Sequence, residues 1–378
     1  MSERMTRRKA LRLTIGAVSG VGAVALRGIS GTVGRLANGG VRGGIAAATG
    51  VMGAGVGNTA FAASGRVLKI DTLASAAAVN VPMQAALRGL LQTQAGMAAP
   101  EVQPTARIPQ IVQEVISGSA DMGDADIAST LSAAEAGADI KIIGLSYNST
   151  AQVFVTNADK WKSLKELGEK GATIAVNSVG DFMYVMLQGV FKQQGISTAK
   201  INFVEMGSSG DRARALLAGR VDAVPMQVEQ AAELAKRGNF KILMRPWEAY
   251  DDWFSAVIVA KSSWLEKPEN KASAVAVLKS VLTAFRKTNA DYPWFKSQVA
   301  LYGSSKDLKS SDDAALKPVW ETLTQTIKAF PNDMAQLNVA QFAKVIPVYK
   351  DTGALKGTVD LHKLIDRTYL EQALKELG

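Results

Sequence analysis

The sequence predicts an α/β protein built from two similar lobes with a ligand cleft between them. Short β-type runs alternate with helix-length segments from residue 66 onward, which is typical of strand–helix–strand units. One stretch of the chain repeats after 101 residues, and polar loops follow several predicted strands. The 378 residues are 47% apolar, which is enough for a sizeable core and about two domains.

The composition excludes several chemistries. The chain has no cysteine and one histidine, so it can form neither a disulfide framework nor a thiolate nucleophile nor a His/Cys zinc site. Residues 1–63 carry eight of the 43 Lys and Arg residues and one of the 34 Asp and Glu residues, so most of the formal net charge of +9 lies there. The remainder has no basic run with interleaved aromatics, and we expect no nucleic-acid partner and no cofactor.

The N-terminal segment has the features of an export signal. Arg7 and Arg8 precede a Gly-spaced apolar stretch at 13–26, an order that resembles a twin-arginine signal. Residues 60–62 have the small-x-small pattern of a signal-peptidase site, so we predict a signal over residues 1–62 and a periplasmic location. Arginines interrupt the apolar stretches, and we therefore expect a soluble mature protein rather than a membrane span. A Gly-rich tail without a targeting role is the alternative.

The predicted elements follow in order after this segment. The predicted strands cover residues 67–70, 140–145, 153–155 and 173–176. The first long helix is expected at 81–94, with Pro82 in its first turn and Asn80 as its cap. Apolar residues recur at helical spacing over 264–287, 314–330 and 359–377. The alternation favours parallel sheets, and the last third favours helices.

The internal repeat predicts that the two lobes are alike. A shift of 101 residues aligns 115–121 with 216–222 and Gly137 with Gly238. The matching glycines suit helix C-caps, where a left-handed conformation favours glycine. Two such lobes place a crevice at the carboxyl ends of their strands, with 123–126 facing 224–227. We predict one lobe from 64–154 plus 255–378, a second from 155–254, and a hinge near Val155 and Phe254.

The segment 178–181 is the first candidate ligand loop. It follows the strand at 173–176 and precedes an apolar helix at 182–191. Ser178 is expected to cap this helix and Asp181 to complete a capping box, while Gly180 lets a ligand approach the main chain. The free N–H groups of a helix N-terminus favour an anion. A plain cap without a ligand is the alternative.

Two acidic residues point to a ligand of the opposite charge. Asp124 and Asp126 favour a cation or a hydrogen-bond donor if they line the crevice, and hard oxygens also suit a divalent cation. They are otherwise solvated or capping residues. The loop aromatics around Trp253 either stack on a ligand or pack in the core. The ligand-binding residues that we predict are Ser75, Asn80, Asp124, Asp126, Asn148, Ser149, Thr150, Ser178, Val179, Gly180, Asp181, Gln227 and Trp253.

Three segments carry a resemblance to a known family. Residues 216–223, 257–265 and 364–374 together resemble the nitrate/sulfonate/taurine and thiamine-pyrimidine (NMT1/THI5-like) group of periplasmic solute-binding proteins. The resemblance covers nearly all of residues 66–376. It implies a type II periplasmic-binding-protein fold and places ligand contacts on 178–181 and 148–150.

The resemblance also implies a function. Such a protein captures a small organic solute, which is sulfonate-like, nitrate-like or pyrimidine-like, and delivers it to the inner-membrane permease of an ABC importer. It would act as a monomer, without catalysing a reaction and without a bound metal. The alternatives are a secreted enzyme that uses Asp124, Asp126 or Asp181, and a solute sensor for a signalling receptor.

Overall fold

The computed structural model of the protein describes residues 67–73, 77–95, 97–250, 253–303 and 306–378. All of these lie within one compact unit, Thr59–Gly378. The predicted export signal at 1–62 and the candidate ligand residue Ser75 fall outside the described residues. No helix in the described ranges is both long and apolar enough to cross a membrane.

Two five-stranded sheets form the framework, in the orders β2-β1-β3-β10-β4 and β7-β6-β8-β5-β9. The strands of the first sheet are β1 (Lys69–Leu73), β2 (Glu101–Thr105), β3 (Met122–Asp126), β4 (Lys141–Tyr147) and β10 (Ala256–Ala260). Those of the second sheet are β5 (Gln152–Asn157), β6 (Thr173–Val176), β7 (Asn202–Glu205), β8 (Ala223–Gln227) and β9 (Phe240–Met244). We call the parts built around these sheets lobe 1 and lobe 2.

Each sheet is mixed rather than wholly parallel. β10 runs antiparallel between β3 and β4, and β5 runs antiparallel between β8 and β9. Each of these two strands comes directly after the chain has crossed from the other sheet, so it enters in the reverse direction. The described residues of the two crossings are 148–151 for the first and 245–250 with 253–255 for the second. Phe254 lies in the second crossing, whereas Val155 lies inside β5.

Helices alternate with the strands along the chain as far as β10, except between β4 and β5, and after β10 the chain is helical. They are α1 (Val81–Ala85), α2 (Leu91–Ala95), α3 (Ile108–Ser117), α4 (Ile127–Glu135), α5 (Leu164–Lys170), α6 (Phe182–Gln193), α7 (Ser209–Leu217), α8 (Val228–Ala235), α9 (Pro246–Ala249), α10 (Ser262–Leu265), α11 (Pro268–Ala290), α12 (Tyr292–Tyr302), α13 (Lys306–Lys309), α14 (Asp313–Glu321), α15 (Val339–Asp351), α16 (Leu361–Leu364) and α17 (Thr368–Leu377). A π turn (Ala86–Leu90) joins α1 to α2, and another (Thr322–Thr326) follows α14.

The 101-residue repeat is present in the structure. α3, β3 and α4 begin at 108, 122 and 127, and α7, β8 and α8 begin at 209, 223 and 228. The repeated aspartates also match, because Asp121 accepts a hydrogen bond from the Lys69 N–H at 2.9 Å and Asp222 accepts one from the Thr173 N–H at 2.8 Å. Each aspartate thereby fixes the start of the neighbouring parallel strand.

The repeated glycines match less completely. Gly118 and Gly219 have φ values of 81° and 67° directly after α3 and near the end of α7, and Gly137 has φ 81°. Gly238 has no positive φ, so the prediction of a left-handed cap there is wrong.

The C-terminal helices are shorter than predicted. The predicted helix over 359–377 breaks between α16 and α17, because Ile365 forms a parallel bridge with Ile142 of β4 and the Asp366 N–H donates to the Ile142 carbonyl at 2.9 Å. The predicted helix over 264–287 is divided where Pro268 begins α11.

The second crossing packs against α15. Trp253 stacks on Tyr349 with ring centroids 5.4 Å apart, and Phe254 stacks on Phe342 at 5.0 Å. All four side chains are buried. Because α15 also packs against α6 of lobe 2, the C-terminal region contacts both lobes.

Candidate functional site

A cavity of about 50 Å³ lies where the carboxyl ends of β1, β3, β4 and β8 approach the two crossings. This is the position expected for a ligand in open α/β sheets. The lining residues are Leu73, Val79, Asn80, Ile108, Asp124, Asp126, Tyr147, Ser149, Thr150, Ala151, Gln152, Phe182, Gln227, Ser255 and Ala256. Both lobes and both crossings contribute to the wall.

Two carboxylates form the polar part of the wall from lobe 1. Asp126 caps α4, accepting hydrogen bonds from the Ser129 N–H at 2.6 Å and from its hydroxyl at 2.9 Å. Burial, with a smaller contribution from the negative charge of Asp181, raises the pKa of Asp126 to about 7, although the hydrogen bonds from Ser129 oppose the shift. Asp124 has an Oδ1 atom without a hydrogen-bond partner, and burial raises its pKa to about 6. The wall of lobe 1 therefore carries two carboxyl groups that are poorly solvated.

The wall of lobe 2 is supported by a buried arginine. Arg212 donates a hydrogen bond from Nη2 to Oε1 of Gln152, one from Nε to the Pro225 carbonyl, both at 2.9 Å, and one from Nη1 to the Gly207 carbonyl. Burial lowers the pKa of Arg212 to about 10, and the charge of Asp181 opposes that shift. Arg212 therefore orients Gln152 while its own charge faces Asp181.

Arg212 was not among the residues predicted from the sequence. The repeat contains the signal for it, because a shift of 101 residues places Arg212 on Ile111, a fully buried residue of α3. A charged residue at an inward-facing position of a repeated helix indicates a buried polar network.

The cap at the start of α6 differs from the prediction. The structure makes Asp181 the cap, with Oδ1 accepting from the Tyr184 N–H at 2.7 Å and Oδ2 accepting from the Ser178 N–H at 3.1 Å. Ser178 is therefore not the capping residue, and its hydroxyl donates to Asn177 at 3.2 Å. Since a carboxylate already occupies this helix N-terminus, the terminus has lost much of its attraction for an anion.

The predicted ligand residues fall into two groups. Asn80, Asp124, Asp126, Ser149, Thr150 and Gln227 line the cavity. Ser178, Val179, Gly180 and Asp181 do not line it, and neither do Asn148 and Trp253.

Each residue outside the cavity has another structural role. Val179 is 50% exposed, and its N–H donates to Glu205. Asn148 donates through its N–H and its amide to the carbonyls of Ala329 and Lys328. Trp253 is buried against Tyr349. At the cavity itself, Asn80 does not cap α1 with its side chain as predicted, because its Oδ1 accepts from the Tyr147 hydroxyl at 3.2 Å.

Several lining residues were missed because they are apolar. Leu73, Val79, Ile108 and Phe182 lie at the ends of strands or the starts of helices, where sequence alone does not distinguish them from core residues. The antiparallel crossing that brings β5 beside β8 places Gln152 opposite Gln227, and no local pattern signals this pairing.

Direct hydrogen bonds join the two lobes beside the cavity. The side chain of Asn177, which follows β6, accepts from the Ile108 N–H at 3.2 Å and donates to the Ala106 carbonyl at 3.0 Å. The Ala78 N–H donates to Oε1 of Glu229 at 2.9 Å, and Arg107 forms an ion pair with Glu205 at 3.3 Å. These contacts hold the walls of the cavity together.

We expect Asn177→Ala to shift the protein toward a more open form. The two hydrogen bonds between the lobes contribute about 0.5–1.5 kcal/mol each, so their loss should raise the open population several-fold. Small-angle scattering of the ligand-free protein should then give a larger radius of gyration. Asn202→Ala replaces an exposed asparagine of β7 and should leave the scattering curve unchanged. Identical curves for wild type and Asn177→Ala would show that these bonds do not control closure.

The two sheets, the double crossing and the cleft between the lobes match the fold of type II periplasmic binding proteins. The chain belongs to the NMT1/THI5-like family. The sequence profile of this family matches residues 93–289, which are more than half of the sequence. None of the curated protein sequences is significantly similar to it.

Solved structures share the fold at low sequence identity. The nitrate-binding protein NrtA from Synechocystis has a TM-score of 0.68 at 12% identity, over 82% of this chain and 89% of that one. The aliphatic sulphonate binding protein SsuA from Escherichia coli has a TM-score of 0.58 at 17% identity, over 80% and 92%. A ligand-binding component of an ABC-type import system from Staphylococcus aureus, crystallised with zinc bound, has a TM-score of 0.64 at 15% identity, over 82% and 99%. The chain thus has the fold of the substrate-binding proteins of ABC importers.

Proposed function

We propose that the protein is an exported, non-enzymatic substrate-binding protein of an ABC importer. It captures a small solute in the cleft between the lobes and delivers it to an inner-membrane permease. The observation that carries the proposal is the cavity at the strand ends, because both lobes line it with polar atoms that have no hydrogen-bond partner among the described residues. A guest that contacts both walls would stabilise the closed form.

The unpartnered atoms of the cavity wall indicate which hydrogen bonds a ligand would make. They are Asn80 Nδ2, Asp124 Oδ1, Ser149 Oγ and Gln227 Oε1, and all four residues line the cavity. A buried polar atom without a hydrogen bond costs about 1–3 kcal/mol, so a solute that pairs with several of them gains affinity from each. Asp124 belongs to lobe 1 and Gln227 to lobe 2, so pairing with both also favours closure.

An enzyme built on the buried aspartates has less support. Asp126 and Asp181 both accept hydrogen bonds from N–H groups at the start of the helices that they cap. General acid–base catalysis needs a second group placed around the reacting bond, and among the three aspartates only Asp124 is left for that role. The arrangement favours binding over turnover.

Ligand-dependent stabilisation tests the proposal. The mature chain should be screened by thermal shift against sulfonates, carboxylates, nitrate, pyrimidines and amines. A true ligand at about 100 times its dissociation constant should add about 2.7 kcal/mol to the free energy of unfolding and should reduce the radius of gyration. Gln227→Met should weaken the effect, whereas Gln194→Met, at an exposed position, should not. No stabilisation by any compound, together with unchanged scattering, would refute the proposal.

A further inference from the structure

We propose that the cleft selects a small organic cation with several N–H donors, of the amidinium or ammonium type. This inference rests on the proposed function and names the substrate class for the same cavity. It differs from the anions that the printed names of the nitrate-binding and sulphonate-binding structures describe.

The charges around the cavity are unbalanced. Asp124 and Asp126 line it, and none of its described lining residues is a lysine, arginine or histidine. Neither aspartate takes part in an ion pair within the part of the chain that the structure describes. Two buried carboxylates without a cation are costly, and a positively charged guest would offset that cost.

The buried arginine does not supply the missing charge. Arg212 reaches the cavity only through Gln152, and its three hydrogen bonds go to Gln152 and to two carbonyls. Its charge interacts with Asp181, so these two opposite charges largely cancel. Asp126 is partly compensated by the N-terminus of α4 that it caps, whereas Asp124 has no compensating cation among the described residues.

Of the four unpartnered atoms whose residues line the cavity, two are acceptors from opposite lobes, one is the donor Asn80 Nδ2 and one is the Ser149 hydroxyl. Oδ1 of Asp124 and Oε1 of Gln227 are acceptors without partners, and both residues are more than nine-tenths buried. They come from opposite lobes and line the same cavity. An anion would place acceptors against these acceptors, whereas a guest with N–H groups on two sides would bond to both.

The size and walls of the cavity limit the guest further. One water needs roughly 10–15 Å³, so a cavity of about 50 Å³ has room for a molecule of roughly four heavy atoms. Leu73, Val79, Ile108 and Phe182 add apolar wall, which suits a flat guest with polar edges. In the described ranges no three Asp, Glu or His side chains are grouped to hold a metal ion, so an organic cation fits better than a bare divalent one.

Three probes of the same shape separate charge from size. Acetamidinium, acetamide and acetate are planar, have four heavy atoms each and carry charges of +1, 0 and −1. Titration calorimetry of the mature protein at pH 8 should show acetamidinium binding at least tenfold more tightly than acetamide, with no binding of acetate. Asp124→Asn should weaken acetamidinium binding tenfold or more, and Asp159→Asn, at an exposed position, should leave it unchanged. Circular dichroism spectra that match the wild type would show that both variants fold.

The outcomes distinguish this inference from the proposed function. Binding of acetate, nitrate or methanesulfonate without binding of acetamidinium would overturn the inference and leave the solute-binding function standing. Equal affinities for acetamide and acetamidinium, or unchanged binding to Asp124→Asn, would also overturn it, because charge recognition would then be absent. If neither these probes nor the wider panel of solutes binds, both the inference and the proposed function are wrong.

Discussion

Replacing Arg212 by methionine is expected to lower the free energy of unfolding by about 3–5 kcal/mol. Methionine fills much of the same space but removes the donors on which Gln152 and the carbonyls of Pro225 and Gly207 depend. It also leaves the buried carboxylate of Asp181 facing no positive charge. Removing one partner from a buried hydrogen-bond network costs more than its bonds contributed, because the groups left behind are unpaired in a medium of low dielectric constant.

Denaturant unfolding at pH 7 measures this loss, and two further variants define its origin. Arg214 lies on the same helix two residues away, is exposed, and forms an ion pair with Asp211, so Arg214→Met should cost less than about 1 kcal/mol. Adding Asp181→Asn to Arg212→Met should recover part of the loss, since it removes the orphaned charge. Equal losses for Arg212→Met and Arg214→Met would show that the buried network does not stabilise the fold.

Much of the architecture could be predicted because the same pattern of apolar residues, glycine and aspartate occurs twice in the sequence. The alignment of residues 115–121 with 216–222 predicts the paired helix, turn and strand of the two lobes, and the structure shows the same 101-residue offset in three successive elements. Local hydrophobic spacing is enough for this, because each unit buries its own apolar face. The antiparallel direction of β5 and β10 could not be predicted in this way, since it depends on where the chain crosses between sheets.

Fewer features of the cavity than of the fold could be predicted from the sequence, for a related reason. The strand-end rule predicts Asp124, Asp126 and Gln227 as ligand residues, and all three line the cavity. At 178–181 both Ser178 and Asp181 are good capping residues, and the choice between them depends on the path of the loop. Gly180 takes a positive φ of 93°, so α6 begins only at Phe182 and Asp181 becomes the cap. Sequence pattern alone gives no means to choose between two cap candidates that are three residues apart.

Asp124→Asn is expected to stabilise the ligand-free protein at pH 8 by about 3 kcal/mol and to have little effect at pH 4. Burial raises the pKa of Asp124 in the folded state from 3.8 to about 6. Below pH 3.8 the group is protonated in both folded and unfolded states and costs nothing. As the pH rises through this interval the unfolded chain loses the proton first, so stability falls until the pH exceeds about 6. Asparagine cannot ionise, and the variant therefore avoids this loss.

The sign of the stability change on Asp124→Asn shows whether burial or a neighbouring charge dominates the pKa of Asp124. Tyr147 is the ionisable group whose charge interacts with that of Asp124, and the hydroxyl of Ser146 is its neutral hydrogen-bonding neighbour. If Arg212 governed Asp124, the pKa would be lowered and Asp124→Asn would destabilise the protein at pH 8. Denaturant unfolding at pH 4, 6 and 8 distinguishes these cases, with Asp159→Asn as an exposed control expected to stay within about 0.5 kcal/mol at every pH. If Asp124→Asn raises the free energy of unfolding by an amount that grows with pH, the ionised carboxylate of Asp124 destabilises the ligand-free protein. A bound cation would then remove that destabilisation. A difference that is the same at every pH would exclude this explanation.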